Sequence, residues 1–224
     1  MTQNDPLLSG YFSIPAAAQL LNVSPSSVRG WLNGYSGSDA GPVVERDFEG
    51  TRAVSFLDLM ELRFIAFFRK QKVSVATLRK AADRARQEWN VSHPLALSHE
   101  KYVTDRKNIF ATSAEDTGDK QTWNLATGQH EMWITIEKTI QKGVMFDPVT
   151  HLATLWKPKS GEFPDVIIDP RIAFGKPVVQ GTAVPTETLY RQWLAEDSFG
   201  RVAVWYDVPK DAVQTAVEYE LEAA

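Results

Sequence analysis

FSIPAAAQLLNVSPSSVRGWLNG, residues 12–34, is the stretch around which the rest of the chain can be read. Ala17, Ala18, Leu21, Val23, Val28, Trp31 and Leu32 recur at helical spacing on both sides of a break at residues 22–24. Ser24 suits an N-cap and Pro25 the first helical position, so a second helix starts directly after the break. Two short amphipathic helices joined by a tight turn make a helix-turn-helix, whose second helix enters the major groove of DNA. With Val28, Trp31 and Leu32 inward, Ser26, Gly30 and Asn33 face outward, and Ser27 and Arg29 flank them. Small hydrogen-bonding side chains, a glycine that permits close approach and one cation form a groove-facing set. The same pattern also fits an ordinary helical hairpin with a solvated face.

Downstream, YSGSDAGP (35–42) reads as a loop. VVERDF (43–48) and TRAVSF (51–56) are β-capable runs around a glycine-containing turn, which predicts a small hairpin, or wing, after the helix-turn-helix. Arg46 and Arg52 flank that hairpin and could grip phosphates. Ser55 then caps a helix, FLDLMELRFIAFFRKQ, with Asp58 in its first turn and Arg69 and Lys70 in its last. It is apolar over more than one face, so it must be buried in its own domain or against a second copy. Phe64, Phe67 and Phe68 are therefore candidate dimer contacts. Ser74 caps a further helix with a stripe of Val75, Leu78, Ala82, Ala85 and Trp89, leaving Arg79, Lys80, Arg84 and Arg86 exposed. Asn90, Ser92 and Pro94 end it.

Residues 95–164 read as β-rich, with candidate strands at 102–103, 108–112, 133–136, 144–146 and 153–156. The 132–143 run, MWITIEKTIQKG, fits a strand passing into a short helix equally well. Turn signals lie at 116–119, 127–128 and 147–148. Tyr102, Phe110, Trp133 and Trp156 are expected to fill the core. Residues 161–164 form a linker. Beyond it come two short β-like pieces, 166–168 and 178–179, and three helices near 187–195, 199–206 and 210–221. Leu189, Trp193, Val202, Val204, Trp205, Val213 and Val217 supply their shared core.

Composition narrows the function. The 224 residues are 43% hydrophobic and 23% charged, as in an ordinary globular protein. No apolar run is long enough to span a membrane and the first residues lack a leader pattern, so a cytoplasmic location is expected. With no cysteine, disulfides and thiolate sites are excluded. The net charge of −4 is unevenly spread: residues 22–89 carry 11 basic against 8 acidic side chains, and residues 165–224 carry 5 against 10. His93, His99, His130 and His151 show no spacing that would converge on a metal. FGKPVVQGT lacks the full spacing of a phosphate loop. No nucleophile, base and orienter can be assembled. The expectation is a non-enzyme with no cofactor and no metal.

Four segments together resemble the DNA-binding region of MerR-type regulators: V-S-P-S-S-V-R-G-W at 23–31, T-R-A-V-S-F at 51–56, D-L-x-x-L at 58–62 and K-x-S-V-A-T-L-R at 72–79. The resemblance implies a dimeric winged helix that clamps operator DNA. The long dimerisation helix that usually follows in such regulators is missing here. D-P at 169–170, G-K-P at 175–177, G-T at 181–182 and V-P at 184–185 resemble a bacterial domain of unknown function found in antitoxins and beside PIN-type ribonucleases. Ala183 stands where that family usually has arginine. A winged helix in front and this module behind resemble the large VapB-type antitoxins.

The expected architecture is therefore α+β: a winged helix-turn-helix at 10–90, a β-rich middle at 91–163 and a three-helix, helix-turn-helix-like module at 164–224. By resemblance the chain would be a type II antitoxin that neutralises a PIN-domain ribonuclease toxin and, as a homodimer, represses its own operator. DNA contact would come from Ser26, Ser27, Arg29, Gly30, Asn33, Arg46 and Arg52. Toxin contact would come from a cation among Arg171, Lys176, Arg191 and Arg201 entering an acidic nuclease site, or from the acidic tail Glu218, Glu220 and Glu222. The alternative is a MerR-like regulator whose middle segment binds a small effector, without a toxin. A third reading is a pure interaction adaptor.

Overall fold

The computed structural model describes residues 9–35, 37, 40–98, 100–127 and 130–223. Ten α-helices and three two-stranded sheets among them make the fold α+β. The chain forms two units, a front one of residues 12–142 and 146–153 and a rear one that includes 143–145 and 154–223.

The front unit starts with β1 (Phe12–Ser13), α1 (Ile14–Leu20) and α2 (Pro25–Asn33). Ser13 Oγ accepts from the Ala16 N–H at 3.2 Å and Ser24 Oγ from the Ser27 N–H at 3.1 Å, so each helix is capped where the sequence places a serine. Asn22, in left-handed conformation, reverses the chain between them. Ala17, Ala18, Val28, Trp31 and Leu32 are buried as their spacing requires.

The expected wing is absent from the described residues. Ala53–Val54 does form a strand, β2, but its antiparallel partner is β1, with Phe12 opposite Val54 and Ser13 opposite Ala53. Val43 and Val44 form no strand; both are buried, and their N–H groups reach the Trp31 carbonyl at 2.8 and 3.3 Å. Successive strand residues point to opposite faces, whereas these valines plug one core together.

α3 (Phe56–Lys70) opens with a capping box in which the Ser55 and Asp58 side chains each accept from the other's backbone N–H. It is buried on several faces. Phe64 and Phe68 lie 4.7 Å apart between ring centres, and Phe68 packs against Phe110 at 5.0 Å and Trp133 at 5.8 Å. Phe64 and Phe68 are thus interior to this chain and offer no dimer surface; Phe67 is half-buried. α4 (Val75–Trp89) follows, capped by Ser74 and ended by left-handed Asn90.

The β-rich middle is replaced largely by three helices: α5 (Glu100–Thr117), α6 (Lys120–Thr127) and α7 (His130–Gln141). The candidate strands at 102–103, 108–112 and 133–136 are all helical. Their short apolar runs carry β-like residues, but the buried positions follow helical spacing: Arg106, Ile109, Phe110, Ser113 and Ala114 on α5, then Trp133, Glu137 and Ile140 on α7. Polar side chains at core positions conceal that period. Arg106 Nη1 meets Glu137 Oε2 at 3.0 Å, Nη2 donates to the Leu97 carbonyl at 2.9 Å, and the guanidinium lies over Phe64. Asp119 accepts from the Ser74 and Thr122 N–H groups and from the Thr77 and Thr122 hydroxyls, so one carboxylate joins the starts of α4 and α6. Although burial opposes it, these hydrogen bonds hold the Asp119 carboxyl down at about 2. Gly128 of the expected turn at 127–128 lies outside the described residues, as do residues 36, 38 and 39 of the 35–42 loop.

The strands expected at 144–146 and 153–156 are present as β3 (Val144–Phe146) and β4 (Ala153–Trp156), which form one sheet. In the rear unit β5 (Val166–Ile167) pairs antiparallel with β6 (Val178–Val179). α8 (Thr186–Glu196), α9 (Phe199–Tyr206) and α10 (Lys210–Ala223) pack on Val166, Val179, Leu189, Val202, Val213 and Val217. Val204 and Trp205 depart from their expected core places, being 80% and 65% exposed. At about 100° per residue, α9 cannot bury 202–203 and 204–205 on the same side.

Candidate nucleic-acid interface and partner surfaces

On α2, Ser26, Arg29 and Asn33 are exposed and lie at helical spacing on one face, with Ser27 half-buried beside them. The Ser26 and Ser27 hydroxyls each lie 2.9 Å from Ser24 Oγ, gathering three hydroxyls at the helix N-terminus. Pro25 has no N–H and those of Ser27 and Val28 are taken by Ser24, so that end offers the Ser26 N–H, the hydroxyls and the positive end of the helix dipole to a phosphate. Gly30 departs from the expected outward position. It is buried, and a β-carbon there would lie 2.4 Å from the Tyr35 ring. Its missing side chain makes room for Tyr35 rather than for a base, a contact no helical periodicity of residues 12–34 could show.

Arg46 also has a different task. Its guanidinium donates to Asn33 Oδ1 at 3.1 Å and to the Ala53 carbonyl at 2.6 Å, tying the end of α2 to β2. Arg52 remains exposed on the 45–52 loop. Of the α4 cations, Lys80 is exposed, while Arg79, Arg84 and Arg86 are half-buried. Arg79 holds the Gly41 carbonyl at 2.7 Å, and Arg86 holds that of Val43 at 2.6 Å, anchoring the chain that follows α2.

In the rear unit three of the four candidate cations pair internally. Arg171 makes a two-point contact with Asp169 at 2.6 and 2.8 Å, Arg191 pairs with Glu187, and Arg201 pairs with Glu196. Lys176 is exposed and makes no ion pair with the described residues. Beside it Ala173, Phe174 and Gly175 all have positive φ, and Phe174 is 57% exposed. Left-handed alanine and phenylalanine are strained, and such strain concentrates at functional sites. Glu220 of the acidic tail takes the Thr186 hydroxyl, whereas Glu218 and Glu222 are exposed.

Among the described residues, Asp47, Asp58 and His93 bring together side chains able to bind a metal, a convergence the sequence spacing did not reveal. Burial opposes charge on His93, yet the hydrogen bond with Asp47 and the nearby Asp47 and Glu61 carboxylates outweigh it and lift the ring to about 10. Burial pushes the Asp58 carboxyl up to about 6 against the N–H groups of Ser55 and Asp47. His151 is half-buried and left-handed; His99 and the His130 side chain lie outside the described residues. No helix among the described residues is long and apolar enough to cross a membrane.

Residues 166–219 match the family model described as "Protein of unknown function (DUF433)". That span holds β5, β6, α8, α9 and most of α10. The whole chain is similar to two proteins of Mycobacterium tuberculosis (strain ATCC 25618 / H37Rv). "Uncharacterized protein Rv2308" is 23% identical over 208 residues, covering 90% of this chain and 86% of that one. "Putative antitoxin VapB45" is 24% identical over 228 residues, covering 92% of each. In fold, the chain resembles the crystal structure of Rv2018 from Mycobacterium tuberculosis with a TM-score of 0.65 at 21% identity, over 92% of this chain and 96% of that one.

Proposed function

We propose that this protein is the antitoxin of a toxin–antitoxin pair, whose front unit binds operator DNA and whose rear unit binds and silences a PIN-type ribonuclease. The observation that carries this reading is the likeness to "Putative antitoxin VapB45", which spans 92% of both chains rather than one module. The open face of α2 supports the DNA-binding part. Ser26, Arg29 and Asn33 present hydrogen-bonding groups to base edges, while Ser27, the α2 N-terminus and Arg52 meet phosphates. Arg46 and Gly30 act one step behind, shaping the end of α2. The 45–52 loop takes the place of the hairpin of a MerR-like winged helix. A homodimer that places two copies of α2 one helical turn of DNA apart, about 34 Å, would read a two-fold operator. It would use a surface other than Phe64 and Phe68.

On the rear unit, Lys176 is the cation best placed to enter an acidic nuclease site, since Arg171, Arg191 and Arg201 already neutralise neighbouring carboxylates. Exposed Phe174 beside it adds an apolar anchor of the kind that dominates interface energetics. The effector-sensing alternative would need Phe110 and Trp133 to line a ligand pocket, but these rings pack on Phe64 and Phe68.

The test is to purify the chain from its native operon with the neighbouring gene product untagged and identify what accompanies it by mass spectrometry. A co-purifying PIN-type protein that is toxic when expressed alone is expected. A partner-free protein that still retains its promoter fragment would overturn the toxin part and leave the regulator.

A further inference from the structure

Behind the 45–52 loop, within the front unit, lies a concentration of buried charge that DNA or toxin binding does not use. Asp47 comes from the loop, Asp58 and Glu61 from the first turns of α3, and His93 from the segment after α4. Asp58 and Glu61 are fully buried and His93 is 4% exposed, while the Asp47 side chain, 16% exposed, borders water. His93 Nε2 lies 3.0 Å from Asp47 Oδ1, and single donor atoms of Asp47, Asp58 and His93 all fall within 4.8 Å of one another. On the other side of the ring, His93 Nδ1 is 3.6 Å from Glu61 Oε2, and neither of these buried atoms has a hydrogen-bond partner.

The charges decide what such a place can hold. The Arg86 guanidinium, which also pairs with Asp83 at 2.8 Å and Glu45 at 3.6 Å, sits 3.7 Å from Glu61 Oε2 and offsets part of that carboxylate's charge. Two carboxylates, Asp47 and Asp58, then remain for one imidazole, matching the charge of a divalent cation. A metal-bound histidine characteristically offers one ring nitrogen to the ion and the other N–H to a carboxylate that fixes its tautomer and angle. Glu61 is set for that role, because its Oε1 is held by the Leu95 N–H at 3.0 Å while Oε2 faces Nδ1. The supporting bonds of the aspartates are also in place: Asp58 accepts from the Ser55 and Asp47 N–H groups, and Asp47 Oδ2 from the Ser55 hydroxyl at 2.6 Å.

We propose that Asp47, Asp58 and His93 Nε2 form a binding site for a divalent first-row transition ion, with Glu61 as a positioning residue for the imidazole. One imidazole with two carboxylates suits Zn2+ or its neighbours better than Ca2+ or Mg2+, which favour all-oxygen shells. The ion takes the place of the proton shared between His93 and Asp47, and that proton leaves to solvent. The remaining coordination positions open towards water on the Asp47 side. Occupancy clips the 45–52 loop to α3 and to the chain after α4, stiffening the segment that carries Arg46 and Arg52.

The full chain, stripped with a chelator, is titrated with Zn2+ by calorimetry and with Co2+ by visible absorption, and thermal unfolding is followed with and without Zn2+. One equivalent should bind, with a Co2+ ligand-field spectrum and a higher Tm. Asp47→Asn, on the half-exposed loop, should weaken binding at least tenfold without unfolding the chain, and so should His93→Gln. Glu61→Gln should weaken it about tenfold while retaining the Co2+ spectrum. Asp58→Asn is avoided because Asp58 also forms the capping box. Substoichiometric binding, binding unchanged by Asp47→Asn, or a Tm indifferent to Zn2+ would overturn the assignment and leave a protonated His93 as the tie between these segments.

Discussion

The two units are built on opposite plans. Among the described residues, the front unit buries Ser55, Asp58, Glu61, Thr77, His93, Arg106, Ser113, Thr122 and Glu137, whereas the rear unit buries only Asp169 and Thr186 of this kind. The rear core is almost wholly apolar, drawn from Val166, Val179, Leu189, Val202, Val213 and Val217 with Tyr219 and the rings packed against them. The surfaces reverse the pattern. The rear unit exposes more large apolar side chains: Tyr11, Met145, Phe174, Leu194, Val204, Trp205 and Leu221. The front unit exposes fewer such groups, Tyr35, Trp123 and Val149 among the described residues, and presents Ser26, Arg29, Asn33 and Arg52. A buried charge left without its partner costs several kcal/mol, which narrows the arrangements a polar interior tolerates, while an apolar core accepts many packings of the right volume.

The largest expected effect tests that contrast directly. Glu137→Ala leaves the Arg106 guanidinium buried without its counter-charge and should cost about 4 kcal/mol, read from urea unfolding of the front unit. Leu189→Ala removes only packing from the rear core and should cost about 3 kcal/mol, without disturbing operator binding. If Glu137→Ala costs less than 1 kcal/mol, the front unit is held by its apolar cluster alone and the contrast fails.

A smaller effect separates two arginines that look equivalent in the sequence. Arg46→Ala loses charge-assisted hydrogen bonds to Asn33 and Ala53 and should destabilise by about 2 kcal/mol. Arg52→Ala should leave stability unchanged and lower the salt slope of operator binding by about one unit. The smallest effect lies at acid pH. Asp119 ionises near 2 when folded and near 3.8 otherwise, so its contribution is complete above about pH 4 and fades as pH falls towards 2. Asp119→Asn should flatten the acid-unfolding curve in that window and lower stability at neutral pH.

These residues also show how far the sequence could be read. The caps at Ser24, Ser55 and Ser74, the break at Asn90 and the three rear helices were legible, because capping and periodicity are local. The middle segment was not. Arg106 and Glu137 occupy core positions only because each neutralises the other across 31 residues, and the period looks broken until that pair is known. The hairpin failed for a related reason: the partner of β2 is β1, about 40 residues earlier, rather than the nearby β-capable run. Gly30 looked like an opening for DNA until Tyr35 was seen to fill it.

From sequence alone came the two serine-capped helices within residues 14–33, the outward Ser26, Arg29 and Asn33, the absence of cysteine, and the three helices that follow residue 185. Caps, turns and helical stripes depend on neighbours within about one turn, so the linear order contains them. The tertiary structure alone decided which cations are free, which aromatics are interior, and that Asp47, Asp58 and His93 meet. Each of these depends on what arrives from a distant part of the chain to share, or to exclude, the surrounding water.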